Sequence, residues 1–120
     1  MIRALALSIA MLLTPALALA EAASTGTGAI IRVLDKITGT HVDLELASGQ
    51  TERVGHLTVT LGECRYPASN PSGDAWGWLV IHYQNGPEPI FEGWMVASAP
   101  ALSALDHPRY DVWPLHCLTS

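Results

Sequence analysis

Residues 75–84 read AWGWLVIHYQ and are followed by Asn85-Gly86. This is the most β-prone stretch of the chain, because Trp, Val, Ile and Tyr fit a pleated, packed surface. Trp76, Trp78, Val80 and His82 alternate with Ala75, Gly77, Leu79, Ile81 and Tyr83. The two sets differ little in polarity, which predicts a central strand covered on both sides. Asn-Gly is a strong hairpin signal. Pro87 and Pro89 lengthen the connection, so a loop is expected before a returning strand at 90–97. Gly77 and Gly93 lack side chains where these strands pair, and an aromatic ring is expected over each.

Period-two segments recur on the N-terminal side. Residues 29–36 form a first strand and Thr38-Gly39 turns the chain. In 40–46, Val42, Leu44 and Leu46 share one face, opposite His41, Asp43 and Glu45. Ser48-Gly49 is the next turn, 51–54 a short strand, and 56–61 alternates again. Such segments read as half-buried antiparallel strands. The turn-rich stretch 62–74 (GECRYPASNPSGD) is expected as a loop holding Cys64.

On the C-terminal side, Ser98 is the expected N-cap of a single helical turn that starts near Pro100. Ala101, Leu102 and Leu105 are expected over the core. Pro108 stops the turn and holds His107 extended. Residues 110–118 form a last strand, and Pro114 inside it demands an edge position or a bulge. The fold class is therefore mainly β: a small antiparallel β-sandwich or barrel with one short helical turn.

The ends of the chain set its organisation. A short positive start, the apolar run ALALSIAMLL at 4–13 and Ala18-Leu19-Ala20 before Glu21 have the three-part pattern of a secretory signal peptide. That run is shorter than the ~20 residues of a bilayer span. The expected organisation is a signal peptide at 1–20, a flexible leader at 21–28 and a single β domain at 29–120. No stable membrane span is expected after cleavage, and the location is periplasmic or secreted. Arg3 is the one charged residue of the first 20, so the mature chain carries five basic and 11 acidic residues, a net charge of −6. That balance argues against nucleic acid as a partner.

Cys64 and Cys117 are the two cysteines. In an exported protein they allow one intramolecular disulfide, and the compartment favours that over a metal or free-thiol role. No C-x-x-C or H-x-x-x-H spacing occurs, so neither a metal nor another cofactor is expected. No Ser sits in a nucleophile elbow, so no catalytic residue is assigned. The densest ionisable segment is Asp106-His107-Pro108-Arg109-Tyr110-Asp111. It reads as a structural lock with Asp106 accepting from nearby backbone N–H groups. The same residues are candidates for binding at His107, Arg109 and Tyr110. Trp76 and Trp78 lie on one face of their strand. They read first as core pieces and, if exposed together, as a binding platform.

Longer motifs carry a resemblance. They are LGECRYP at 61–67, FEGWM at 91–95 and SAPALSALDHPRYDVW at 98–113, ended by Cys117. They resemble the small exported alphaproteobacterial proteins grouped as domain of unknown function 2155, over roughly residues 28 to 120. The resemblance implies that both cysteine segments and 106–113 belong to a shared pattern. It assigns no activity, ligand or catalytic residue. Pro114 departs from the hydrophobic residue expected in that strand.

The functional expectation is an exported binding or structural module that contacts an envelope protein or polymer. The alternatives are a small hydrolase or lyase using Asp106, His107 or Tyr110, and a carbohydrate-binding module using exposed tryptophans.

Overall fold

The computed structural model describes residues 22–120, so the expected signal peptide at 1–20 lies outside the described residues. Eight strands follow one another: β1 Ala23–Thr25, β2 Gly28–Asp35, β3 Thr40–Ala47, β4 Thr51–Val54, β5 Leu57–Pro67, β6 Trp76–Tyr83, β7 Phe91–Val96 and β8 Tyr110–Leu118. All pairings are antiparallel. One sheet runs β5-β6-β7, with β1 and β4 sharing the other side of the long β5; the second runs β3-β2-β8. The architecture is the expected small β-sandwich with one 3-10 turn, Pro100–Leu102.

Alternation builds the core directly. Ala29, Ile31 and Val33 from β2, Leu44 and Leu46 from β3, and Leu57, Val59 and Leu61 from β5 are all buried. They meet Leu79, Ile81, Met95, Tyr110 and Val112 between the sheets. A disulfide joins Cys64 on β5 to Cys117 on β8 across that core, with Cα atoms 5.6 Å apart.

Pro114 fits because of where its nitrogen points. Lys36 N–H donates to the Arg109 carbonyl at 2.8 Å, flanking the Asp35–Tyr110 pair. By antiparallel alternation, Tyr110, Val112 and Pro114 then turn their amide sides away from β2. Pro114 therefore removes no ladder bond, and a bulge between Ile30 and Ile31 lies beside it.

The structure differs from the sequence reading in several places. Part of the leader expected to be flexible is strand β1, paired with residues 65–67. The loop expected from residue 62 begins later, because β5 passes through a register irregularity at 61–64 and continues to Pro67. That extension carries Cys64 to its partner and gives β1 its template. Ser98 does not cap the 3-10 turn; its N–H and hydroxyl donate to the two carboxylate oxygens of Asp74, at 3.0 and 2.8 Å. Leu105 reaches the core as expected, but Ala101 is exposed and Leu102 is 79% exposed. Phe91 lies against Gly93, whereas Gly77 meets Pro114 and Leu61 rather than a ring. The ring over a glycine is instead that of Trp78, on Gly62. Strand β6 is covered on one side only: Gly77, Leu79 and Ile81 face the core. The three-stranded sheet supplies a single covering layer, so the other face of β6 stays at the surface.

Candidate functional site

That open face carries the aromatic side chains. Trp76 and Trp78 are half-buried and Trp94 is 37% exposed, which corrects their reading as core residues. Ala97 N–H donates to the Ala75 carbonyl at 2.9 Å beside the Trp76–Val96 pair. Alternation makes Trp78–Trp94 a non-hydrogen-bonded cross-strand pair, the type that brings side chains closest. The two indoles meet edge to face, with centroids 5.4 Å apart and planes at 77°. Arg65, opposite Trp76 on β5, places its guanidinium 5.5 Å from the Trp94 ring centre. Glu63 accepts from Arg65 at 2.9 Å and orients it. A depression of about 310 Å³ is lined by Ala23, Arg65, Trp76 and Trp94. The arrangement offers apolar area, one cation and little conformational freedom to lose on contact.

The second predicted group, His107, Arg109 and Tyr110, gathers at one end of the sandwich. Several of its polar atoms bond within the protein itself. The His107 Nδ1 accepts from the backbone N–H of Arg109 at 3.0 Å and of Tyr110 at 3.3 Å. Of the two, the Tyr110 amide is the one that β8 turns away from β2. Lys36 Nζ donates to the His107 carbonyl at 2.8 Å. Arg109 donates through Nε and Nη2 to one oxygen of Asp35, at 3.2 and 2.9 Å. The other Asp35 oxygen accepts from Ile37 and Thr38 N–H. Tyr110 is 1% exposed, and its hydroxyl accepts from His56 N–H at 3.2 Å. The same hydroxyl would lie 2.6 Å from a Cβ at Gly55, whose φ is +56°, so that turn requires glycine. The His107 ring rests 4.7 Å from that of Tyr83. Asp106 is exposed and accepts no hydrogen bond among the described residues. His107, rather than Asp106, is the acceptor for the nearby backbone N–H groups of this segment.

Arg109 holds the Asp35 carboxyl below the usual carboxylate range, chiefly by its hydrogen bonds, and the Thr38 and Ile37 N–H groups add to this. A carboxylate depressed in the folded state contributes stability that is complete above its unfolded pKa of about 3.9 and is lost as pH falls through the folded value. Asp43, bonded to Arg32 at 2.8 Å, is lowered in the same way. The melting temperature is expected to be level down to about pH 5 and to fall below about pH 4. Asp35→Asn is expected to flatten part of that fall. An acid limb identical in wild type and Asp35→Asn contradicts the assignment.

The sequence reading missed Trp94, Arg65 and Glu63. Cross-strand register was the missing signal: Trp94 lies 16 positions beyond Trp78, and only the β6–β7 pairing makes them neighbours.

A model of the family described as an uncharacterized protein conserved in bacteria, DUF2155, matches residues 29–117. The chain is also similar to Uncharacterized protein RP359 of Rickettsia prowazekii (strain Madrid E), 31% identical over 94 residues covering 76% of this chain. It spans 61% of the length of that relative. No solved structure matches. The cysteine segments, the tryptophan face and the His107 lock all fall within the matched span, and the chain belongs to the DUF2155 family.

Proposed function

We propose that this domain is an exported, non-catalytic binding module that docks onto an envelope protein through the tryptophan face of its larger sheet. One observation carries the reading: Trp76, Trp78 and Trp94 are spent on a face that no other layer covers among the described residues. Tryptophan and arginine are the residue types that dominate protein–protein contact energies. Export is supported by the signal-like start and by the disulfide, which persists in oxidising compartments. The mature net charge of −6 points to a partner surface with basic residues.

The geometry favours protein over sugar as the ligand. A glycan platform presents flat ring faces, whereas Trp78 and Trp94 stand at 77° and Arg65 lies over Trp94. The hydrolase alternative loses support from the commitment of His107 Nδ1 and the burial of Tyr110.

The test is site-specific photocrosslinking in the producing cell. p-Benzoylphenylalanine at Val80, on the tryptophan face, is expected to give one defined protein adduct. The same group at Thr38, on the β2–β3 turn, is expected to give none. Trp94→Ala and Arg65→Ala are expected to reduce the adduct by more than about tenfold at unchanged melting temperature. Equal adducts from Val80 and Thr38, or an adduct indifferent to both substitutions, overturns the proposal.

A further inference from the structure

We propose that β7 is a strand-addition site: the partner offers an extended segment that pairs with the free edge of β7 and lays apolar side chains against Trp94. The inference rests on the reading of the tryptophan face and specifies how a protein is held there.

The main-chain register supplies the first argument. Because Ala97 N–H bonds the Ala75 carbonyl, alternation directs the amides of Phe91, Gly93 and Met95 to β6. Those of Glu92, Trp94 and Val96 point away from the sheet. Among the described residues, the Val96 carbonyl is taken by Ala99 N–H at 3.2 Å, while neither Glu92 nor Trp94 has a main-chain partner on that side. Two residues therefore present free donors and acceptors at strand spacing, next to an exposed indole.

The second argument is how the other edges are closed. Sheet edges invite pairing and are blunted by charge, proline, shortness or cover. Strand β3 turns His41, Asp43 and Glu45 outward along its edge. Strands β1 and β4 have 3 and 4 residues. Strand β8 carries Pro114 at an outward-facing position, and a cavity wall of Pro100, Ala101, Ala104 and Leu105 stands beside its residues 111–113. Strand β7 has a single charge, Glu92, and no proline. Among the described residues it is the least protected edge.

Charge selects the occupant. Glu92 is exposed, shares the outer face with Trp94, and has no hydrogen-bond or ion-pair partner among the described residues. The segment that fits has an apolar residue beside Trp94 and Lys or Arg beside Glu92, two residues apart on one face. In this recognition mode, main-chain bonds supply affinity and alternate side chains supply specificity.

The probe is a display library of randomised peptides about ten residues long, selected on the folded, disulfide-bonded domain. Selected peptides are expected to alternate apolar and basic residues. On binding, they are expected to slow hydrogen exchange at the Glu92 and Trp94 amides by more than about tenfold. Glu92→Pro removes an edge donor and no ladder bond, so it is expected to abolish binding with little change in melting temperature. Should Glu92→Pro not fold, Glu92→Lys keeps the amide and reverses the charge, and it is expected to weaken basic peptides several-fold. Peptides that require Trp94 and Trp78 yet tolerate Glu92→Pro and leave both amides fast overturn strand addition while the tryptophan face stands. Protection of both amides by self-association, without peptide, makes a second copy the occupant and overturns the partner assignment. A library yielding no binder at about 1 mM peptide also overturns strand addition. In every case the Val80 adduct judges the face itself.

Discussion

Replacing Cys64 and Cys117 together by alanine is expected to lower stability by about 4 kcal/mol, with a fall in melting temperature on the order of 20 °C. The bond joins positions 53 apart, and closing so long a loop removes much of the unfolded chain's freedom. Its location raises the consequence. Strand β5 lies in one sheet and β8 in the other, so the bond ties the two layers directly. The chain crosses between sheets at the same place: Gly26 N–H bonds the Cys64 carbonyl at 2.7 Å, and Thr27 N–H bonds that of Leu118 at 2.8 Å. Cys64 is fully buried and Cys117 is 6% exposed, so the bond sits largely within the core. Thermal unfolding of the double variant, with thiol titration of the native wild type, checks this. A fall of less than about 5 °C, or free thiols in the native protein, contradicts it.

Tyr110→Ala is expected to cost about 4 kcal/mol, because it empties the largest fully buried side-chain volume and leaves the His56 amide without its acceptor. His107→Ala is expected to cost about 1–3 kcal/mol, since the Arg109 and Tyr110 amides lose the Nδ1 that both share. Asp106→Ala is expected to change stability by less than about 0.5 kcal/mol, as for other exposed side chains without partners. This order separates a structural lock from a binding or catalytic site. Chemical denaturation of the three variants, alongside the Val80 adduct, reads both properties. Wild-type stability in His107→Ala with the adduct gone makes His107 a contact residue and refutes the lock. An Asp106→Ala loss equal to that of His107→Ala shows that the wrong side chain has been assigned the acceptor role.

Where a pattern was local, it was legible. The alternation of Val42, Leu44 and Leu46 against His41, Asp43 and Glu45 gives β3, and two of its three apolar residues are buried as expected. Glycines at the turns marked by Thr38-Gly39 and Ser48-Gly49 have φ of +73° and +84°, conformations for which glycine is the natural choice. The proline at 114 announced an edge strand or a bulge, and β8 has both. The candidate site was half legible. Trp76 and Trp78 were visible as a same-face pair, but Trp94 and Arg65 belong to other strands and join them only through register. In the lock, the identity of the acceptor was hidden because Asp106 and His107 are adjacent. Which of them meets the Arg109 and Tyr110 amides depends on the path of the backbone between the two sheets.

The sequence by itself determined the class of this protein, nearly every strand, the turns at Gly39 and Gly49 and the pair of cysteines available for a bridge. These follow from interactions within a few residues, or from the small number of cysteines. Only the tertiary structure decided which face of β6 is covered. Both faces are apolar, so alternation names two sides without ranking them, and burial is a property of how many layers the chain can build. Three strands cover one side of the larger sheet and leave the other, with its tryptophans, to solvent. The extension of β5, the pairing of β1 and the open edge of β7 were decided in the same way, because each depends on main-chain partners brought from distant parts of the chain.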